Sequence, residues 1–407
     1  MAMQKYSKYK DSGVKWLGEI PSHWETLPGF AIFKENKEKN SDLRINTVLS
    51  LSYGKIIQKK DLNEGLVPAE YNTYQIVRPG NIIIRCTDLQ NDKTSLRTGF
   101  VKNEGIITGA YLGLIVNKKY NSSYIHYFLH AWDITKEIYR YGSGLRQSLS
   151  WVDLKRLPIL VPSYDEQNAI VSYLDSVTSK IDEAIAQQQK MIDLLNERKQ
   201  IIINDAVTKG LDPKAKMKDS DIDWIGQIPE HWEIRKLKFL GSIKSGDGIK
   251  NEDLKESGQY PVWGGNGLMG YTDKYNEARN AIVIGRVGAL CGNVRYLDSP
   301  TFVTDNALVF SVMGEIDHLY LLNAMRAANL NSLNSSNAQP LITGTKVKNV
   351  CIPIPPQDEQ VQIKSYLLEC FEKIDSIVNS VSRQIELLQE RKQIIINDVV
   401  TGKVKVA

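Results

Sequence analysis

Arginine, asparagine, glutamine, serine and lysine gather in short polar loops of this 407-residue chain. In the first half they are Lys55, Lys59 and Lys60 (GKIIQKK), Arg85, Arg97, and Ser143, Arg146 and Gln147 (GSGLRQS). In the second half they are Lys244, Ser245, Asn266, Arg286, Asn337 and Gln339. Arg, Asn, Gln and Ser donate hydrogen bonds to base edges, and Lys suits phosphates. Taken singly, each residue also fits a solvated surface. As a set they point to reading nucleic acid at two separate places.

Bond-making chemistry has no comparable signature. The chain lacks a GxxxxGK[ST] phosphate loop, an HExxH zinc motif and a GxSxG elbow. An adenine methyltransferase needs an Asn/Asp-Pro-Pro-aromatic segment, and the one Asp-Pro step, Asp212–Pro213, runs on into Lys214. The glycines of GRVGALCG (Gly285–Gly292) lack GxGxxG spacing and indicate a turn or a close backbone approach. His126 and His130 stand four apart, but no carboxylate or cysteine joins them, so they are read as ordinary helix positions. No catalytic residue, metal site or cofactor of the chain's own is expected.

Composition sets the frame. A chain of this length exceeds one ordinary core and calls for two to four domains. No apolar run is long enough to span a membrane, and MAMQKYSKYKDSG lacks the core of a signal peptide. Cys86, Cys291, Cys351 and Cys370 form no CxxC pair, which suits a reducing cytoplasm. Net charge is +4, unevenly spread: residues 25–150 carry 17 Lys/Arg against 12 Asp/Glu, whereas 164–212 carry 5 against 9 and 357–401 carry 5 against 8. A basic domain fits a polyanionic partner. Residues 233–345 balance at 11 against 11, so the second domain would pull on a polyanion less strongly.

The elements that must position the loops come in duplicate. ERKQIIIND occupies Glu197–Asp205 and recurs at Glu390–Asp398. DSGVKWLGEIPSHWE (Asp11–Glu25) returns as DSDIDWIGQIPEHWE (Asp219–Glu233), and LKRLPILVPSYDEQ (Leu154–Gln167) as VKNVCIPIPPQDEQ (Val347–Gln360). Between these fixed segments lie two dissimilar regions. Strand-like runs mark both: Asn81–Arg85 and Gly113–Val116 in the first, Ala281–Gly285 and Ala307–Val312 in the second. Each region closes with a helix, near 122–141 and 316–330, and a polar loop, GSGLRQS or NSSNAQP.

The expected organisation is α+β, a pseudo-twofold tandem repeat of two mixed α/β domains separated by two long antiparallel coiled-coil helices. Its parts are an N-terminal segment 1–24, a recognition domain 25–155, a helix 163–210, a second domain with its opening segment 219–350, and a helix 357–401. The helices carry heptads. One seam line reads Ile170, Val177, Ala184, Met191, Arg198 and the other Leu174, Ile181, Gln188, Leu195, Ile202. The second helix matches with Ile363, Cys370, Ile377, Gln384, Arg391 and Leu367, Ile374, Val381, Leu388, Ile395. Gln188 and Gln384, the polar breaks, set an antiparallel register in which Ala184 meets Leu388 and Met191 meets Val381.

With the twice-used IPxHW opening, the PILVPSYDEQ and PIPPQDEQ segments and the paired ERKQxII helix ends, the whole chain resembles the DNA-specificity subunits of type I restriction–modification systems. That resemblance implies two target-recognition domains, each reading half of a split, asymmetric site in double-stranded DNA. It implies docking of two methyltransferase subunits, which bind S-adenosylmethionine and flip the adenine, and through them endonuclease subunits. The chain itself would be non-catalytic and cytoplasmic, with GSGLRQS and GGNGLMG facing DNA. The alternative is a non-enzymatic coiled-coil scaffold bridging two protein-binding domains. It would bind no DNA, whereas a DNA reader weakens steeply with salt.

Overall fold

The computed structural model describes residues 4–59, 71–90, 96–143, 147–288, 290–334 and 340–406. The chain forms two compact units, Met1–Gln188 with Arg383–Ala407, and Gln189–Ser382. Two long helices, Tyr164–Lys209 and Gln357–Val400, are each divided between the units.

In the first unit an antiparallel sheet runs Phe33–Glu35, Leu112–Val116, Ile82–Ile84, Thr98–Phe100. Its centre is an unbroken apolar run because both faces are covered. Ile82 and Ile84 join a cluster with Tyr124, Ile125, Phe128 and Leu129 of helix Ser122–Ile134, while Ile83 joins Leu49 and Val77 on the other face. The Asn121 side chain accepts the amides of Ser123 and Tyr124, starting that helix. The helix expected over 122–141 is in fact two pieces. Lys136 turns left-handed (φ 63°) and a 3-10 turn, Glu137–Arg140, follows.

The second unit repeats this architecture with different residues. Its sheet runs Gly241–Ser245, Ala307–Val312, Ala281–Gly285, Val294–Leu297, in the same antiparallel order. Asp317 caps helix His318–Ala327, Asn329 turns left-handed (φ 44°), and a 3-10 turn, Leu330–Leu333, follows. The units differ in what is added. The first carries a hairpin of Leu49–Ser52 with Lys55–Gln58. The second carries a small sheet of Gly267–Thr272, Tyr260–Gly264 and Phe302–Val303.

The repeated HW and DEQ segments are two halves of one joint. Glu166 Oε1 accepts from Trp24 Nε1 at 3.3 Å and lies 2.9 Å from His23 Nε2. Glu359 holds His231 at 2.6 Å and Trp232 at 2.9 Å in the same way. Both indoles are fully buried, so their N–H groups need an internal acceptor. Burial works to raise the Glu166 carboxyl, but hydrogen bonds from His23, Ser163 and Trp24 outweigh it and hold it below its ordinary range. The neighbouring glutamine ties helix to domain. Gln167 donates to Pro162 O and accepts from Asn121 N, as Gln360 does with Pro355 O and Asp317 N. Beside them, Glu25–Pro28 pairs with Pro158–Val161, and Glu233–Lys236 with Cys351–Ile354. Each long helix ends at a left-handed glycine, Gly210 (φ 72°) or Gly402 (φ 75°), pressed on this joint. A Cβ at Gly402 would lie 2.3 Å from Pro21 Cδ.

Within each unit the two long helices pair antiparallel. In the first unit Asp182 meets Lys392 at 2.7 Å, and Gln188 Nε2 donates to Gln384 Oε1 at 2.9 Å. In the second, Lys199 meets Asp375 at 2.8 Å. One of the two expected seam lines holds at its start, where Ile170 and Ile363 are buried, and is displaced by a residue further along. Leu174, Ile181, Leu367, Ile374, Val381 and Ile395 are buried as their line requires. Met191 and Ile377, expected inside, are 46% and 42% exposed. Ile185 and Phe371 pack inward instead, and Thr178 is buried. The 3–4 alternation runs in the opposite order from the one expected, because apolar residues stand on both adjacent lines.

Candidate nucleic-acid interface

In the second unit the candidate residues converge on one end of the sheet. Ser245 pairs with Leu308 and Gly285 with Ala307, which places Ser245, Arg286, Asp305 and Asn306 side by side. The Gly264–Gly267 turn closes over them. A Cβ at Gly265 would sit 2.6 Å from Asn306 O, and one at Gly285 2.6 Å from Gly265 O. Bare backbone is what lets these loops meet, which explains the glycines of both GGNG and GRVG. The Arg286 backbone is fixed by Asn306 O and by the Ile342 amide. Its Nη1 lies 3.4 Å from both Ser245 Oγ and Asp305 O, while its buried Nε has no hydrogen-bond partner among the described residues. Asn266 is exposed at the turn, beside Leu268 and Met269 at 49% exposure each. Lys244 is paired with Glu277 at 2.6 Å. Asn337 and Gln339 lie outside the described residues.

The first unit brings fewer candidates to its surface. Lys55 is exposed on the hairpin and Lys59 is half-buried, its amide bonded to Val48 O. At the hairpin tip Tyr53 is left-handed (φ 46°) and 88% exposed. Ser143 is exposed and exchanges backbone hydrogen bonds with Ser148. Arg85 is half-buried and donates its amide to Arg97 O. Lys60 and Arg146 lie outside the described residues.

Two candidates are used internally. Arg97 is fully buried, and its guanidinium donates to the carbonyls of Arg85, Thr87 and Asp88 and to Tyr139 Oη. It shapes the Arg85–Asp88 loop from inside. Gln147 spends its amide on the carbonyls of Tyr139 at 2.7 Å and Tyr141 at 3.0 Å. Their donor chemistry was legible in the sequence, but the carbonyls that consume it were not.

His126 and His130 are half-buried as residues, with their rings set inward and stacked 6.0 Å apart. Burial pushes His126 down to about 3 and His130 down to about 4. Burial pushes Asp133, one turn on, up to about 6. Among the described residues no cluster of His, Cys, Asp and Glu could hold a metal ion, and no helix is long and apolar enough to cross a membrane.

A surface that sequence reasoning passed over lies on the long helices. Leu194 and Ile201 are 54% and 44% exposed in the second unit, and Leu387 and Ile394 are 48% and 52% exposed in the first. They are the same two positions of the repeat, since 387 and 394 lie 193 residues beyond 194 and 201. The signal was present in the duplicated ERKQIIIND, whose three isoleucines exceed what one seam can bury.

Comparison with known proteins bears on these features. The model of the type I restriction modification DNA specificity domain matches residues 229–387. The EcoprrI type I restriction enzyme specificity subunit of Escherichia coli is 33% identical over 154 residues, 36% of this chain and 37% of that protein. The MjaVIII specificity subunit of Methanocaldococcus jannaschii is 24% identical over 98% of this chain and 97% of its own length. The fold matches, with a TM-score of 0.66 and 14% identity, a chain solved in work on complex assembly and conformational transition of the type I R-M system; the match covers 94% of this chain and 98% of that one.

Proposed function

We propose that the chain is a specificity subunit of a type I restriction–modification system, reading a bipartite, asymmetric DNA site while docking two methyltransferase subunits. The observation that carries this reading is duplication of scaffold without duplication of loops. Both units share one sheet order, one capped helix and one glutamate-held HW joint. What they present differs: a tyrosine-tipped hairpin in one and a glycine-walled arginine site in the other. Two dissimilar readers on one repeated frame suit a site whose halves differ in sequence.

The frame also repeats an apolar stripe. Exposed apolar residues one position before a seam residue and seven apart mark an interaction surface rather than a core. Leu194 with Ile201 and Leu387 with Ile394 give two equivalent faces. Two identical methyltransferases fit two equivalent faces, and the endonuclease subunits join through them. The chain then contributes no catalytic group, and S-adenosylmethionine resides on the methyltransferase. The donors proposed to meet DNA are Lys55, Lys59, Arg85 and Ser143 in the first unit, and Lys244, Ser245, Asn266 and Arg286 in the second. Lys60, Arg146, Asn337 and Gln339 are proposed on sequence alone.

The docking half of the reading is tested by stoichiometry. Leu194→Asp with Ile201→Asp, and separately Leu387→Asp with Ile394→Asp, should each reduce the complex from two methyltransferases to one, measured by native mass. Retention of two in either variant sinks the assignment. The scaffold alternative predicts partner binding that is indifferent to salt and no affinity for DNA.

A further inference from the structure

We infer that Arg286 is the residue that reads a guanine in the half-site recognised by the second unit. The inference rests on the DNA-specificity reading above and assigns base chemistry to one side chain within it.

Three features single out Arg286 among the arginines of its domain. First, its backbone is fixed on both sides, by Asn306 O at 3.0 Å and by the Ile342 amide at 2.9 Å. The side chain therefore projects from a rigid sheet end and not from a free loop. Second, the site around it is built by glycine. Cβ atoms at Gly246, Gly265 and Gly285 would strike carbonyl oxygens at 2.3, 2.6 and 2.6 Å, so four chain segments meet with no side chain between them. Third, the guanidinium is oriented but not satisfied. Only Nη1 is near acceptors, Ser245 Oγ and Asp305 O, both at 3.4 Å. Among the described residues no acceptor reaches the buried Nε and none bonds Nη2.

The other arginines with described side-chain contacts are differently engaged. Arg326 Nε donates to Val294 O, Arg295 lies over the Trp263 ring and Arg235 is paired with Glu233. Asp247, whose carbonyl accepts the Asp305 amide, is held by Asn276 Nδ2 at 2.8 Å, and among the described residues no carboxylate is paired with Arg286. A fork steered from one side, with its outer hydrogens unpaired among the described residues, can take a ligand's acceptors without breaking a bond of its own. The ligand needs two acceptors side by side, to match a planar fork. In the major groove, guanine presents O6 and N7 in that arrangement, whereas adenine sets a donor beside N7. Ser245 and the Asp305 carbonyl lie to one side of Nη1 and burial closes the Nε side, leaving the Nη1–Nη2 end of the fork for the base. Asn266 stands beside the same site: a Cβ at Gly288 would touch its side chain at 3.1 Å.

The test uses the full chain co-expressed with its methyltransferase, on a duplex carrying the methylated site mapped for the wild type. Each guanine is replaced in turn by 7-deazaguanine, which lacks N7. Wild-type complex should lose roughly tenfold or more in affinity at one guanine of one half-site, the scale of a bidentate arginine contact. Arg286→Ala should show no sensitivity at that guanine and unchanged sensitivity in the other half. Arg286→Lys, which keeps the charge and loses the fork, should retain the salt slope and lose the guanine preference. Wild-type insensitivity at every guanine overturns the inference whether or not the alanine variant folds, and so does a sensitivity that persists in both variants. If wild-type complex binds no site in a salt-dependent manner, the DNA-specificity reading itself has failed, a different result from the loss of one contact.

Discussion

Replacing Glu166 by alanine removes the acceptor on which the first unit's joint is built, and its cost can be worked from the bonds it makes. Oε1 serves the Trp24 indole at 3.3 Å and His23 at 2.9 Å, while Oε2 accepts from Ser163 Oγ at 2.9 Å and Ser163 N at 3.3 Å. Trp24 is fully buried, so its stranded N–H costs about 1–3 kcal/mol. Loss of the reciprocal Ser163 cap adds about 1 kcal/mol. The His23 contact is half-exposed and adds little. The sum is about 2–4 kcal/mol. In the second unit Pro356 stands where Ser163 stands, with neither hydroxyl nor N–H, so Glu359→Ala loses only the Trp232 and His231 contacts, about 1–3 kcal/mol. Urea unfolding followed by circular dichroism, with hydrogen exchange to assign the unit that opens, measures both. Glu166→Ala should be the more costly by about 1 kcal/mol, each variant opening its own unit first. A loss below about 0.5 kcal/mol for both would refute the joint as a source of stability, since ordinary surface substitutions stay within that range.

Acidification should weaken the first unit selectively. An unfolded histidine titrates near 6.5, and the folded His126 and His130 are held down to about 3 and about 4, so below pH 6.5 the unfolded chain takes up protons that the fold refuses. Each histidine then removes about 1.4 kcal/mol per pH unit. Asp133, raised to about 6, gains stability as pH falls and offsets one of them, leaving a net loss of about 3 kcal/mol between pH 6 and 4. Urea midpoints of the His126→Phe variant should lose this slope, and a slope equal to the wild type's contradicts it. Arg97→Met should destabilise the first unit by about 3 kcal/mol or more, because three loop carbonyls lose their donor; a stable variant with altered DNA affinity would show instead that the guanidinium reaches the ligand. Adding one heptad to both long helices at matched positions lengthens each by about 10 Å, equivalent to about three base pairs. Methylation mapping should find both half-sequences unchanged across a wider gap; new half-sequences across an unchanged gap refute the helices as its ruler.

The duplicated architecture was legible because its signals are local and occur twice. Trp24 and Trp232, the DEQ segments and the long apolar-periodic helices each recur with fixed spacing, and a repeat read twice corrects chance. The long-range partners were not legible. Nothing near Trp24 in sequence announces that its indole is held by Glu166, 142 residues on. The displaced seam line has a definite cause. Met191 and Ile192, and Ile377 and Val378, are adjacent apolar pairs, so either phase satisfies a heptad until packing chooses one. Which candidate donors stay available was not legible, because burial decides it. Arg97 and Arg286 are the same residue type in comparable loops, yet one is consumed by carbonyls and the other is held short of satisfaction. That difference depends on glycines and carbonyls brought in from four segments, and no spacing in the sequence encodes it.

Co-expression of the chain with its cognate methyltransferase subunit, followed by genome-wide mapping of methyladenine, shows whether the chain supplies a bipartite specificity. One split motif is expected, two short and dissimilar half-sequences separated by an unspecified gap of constant length, appearing only when both chains are present. Methylation at a continuous or palindromic sequence, or none beyond what the methyltransferase gives alone, would contradict it.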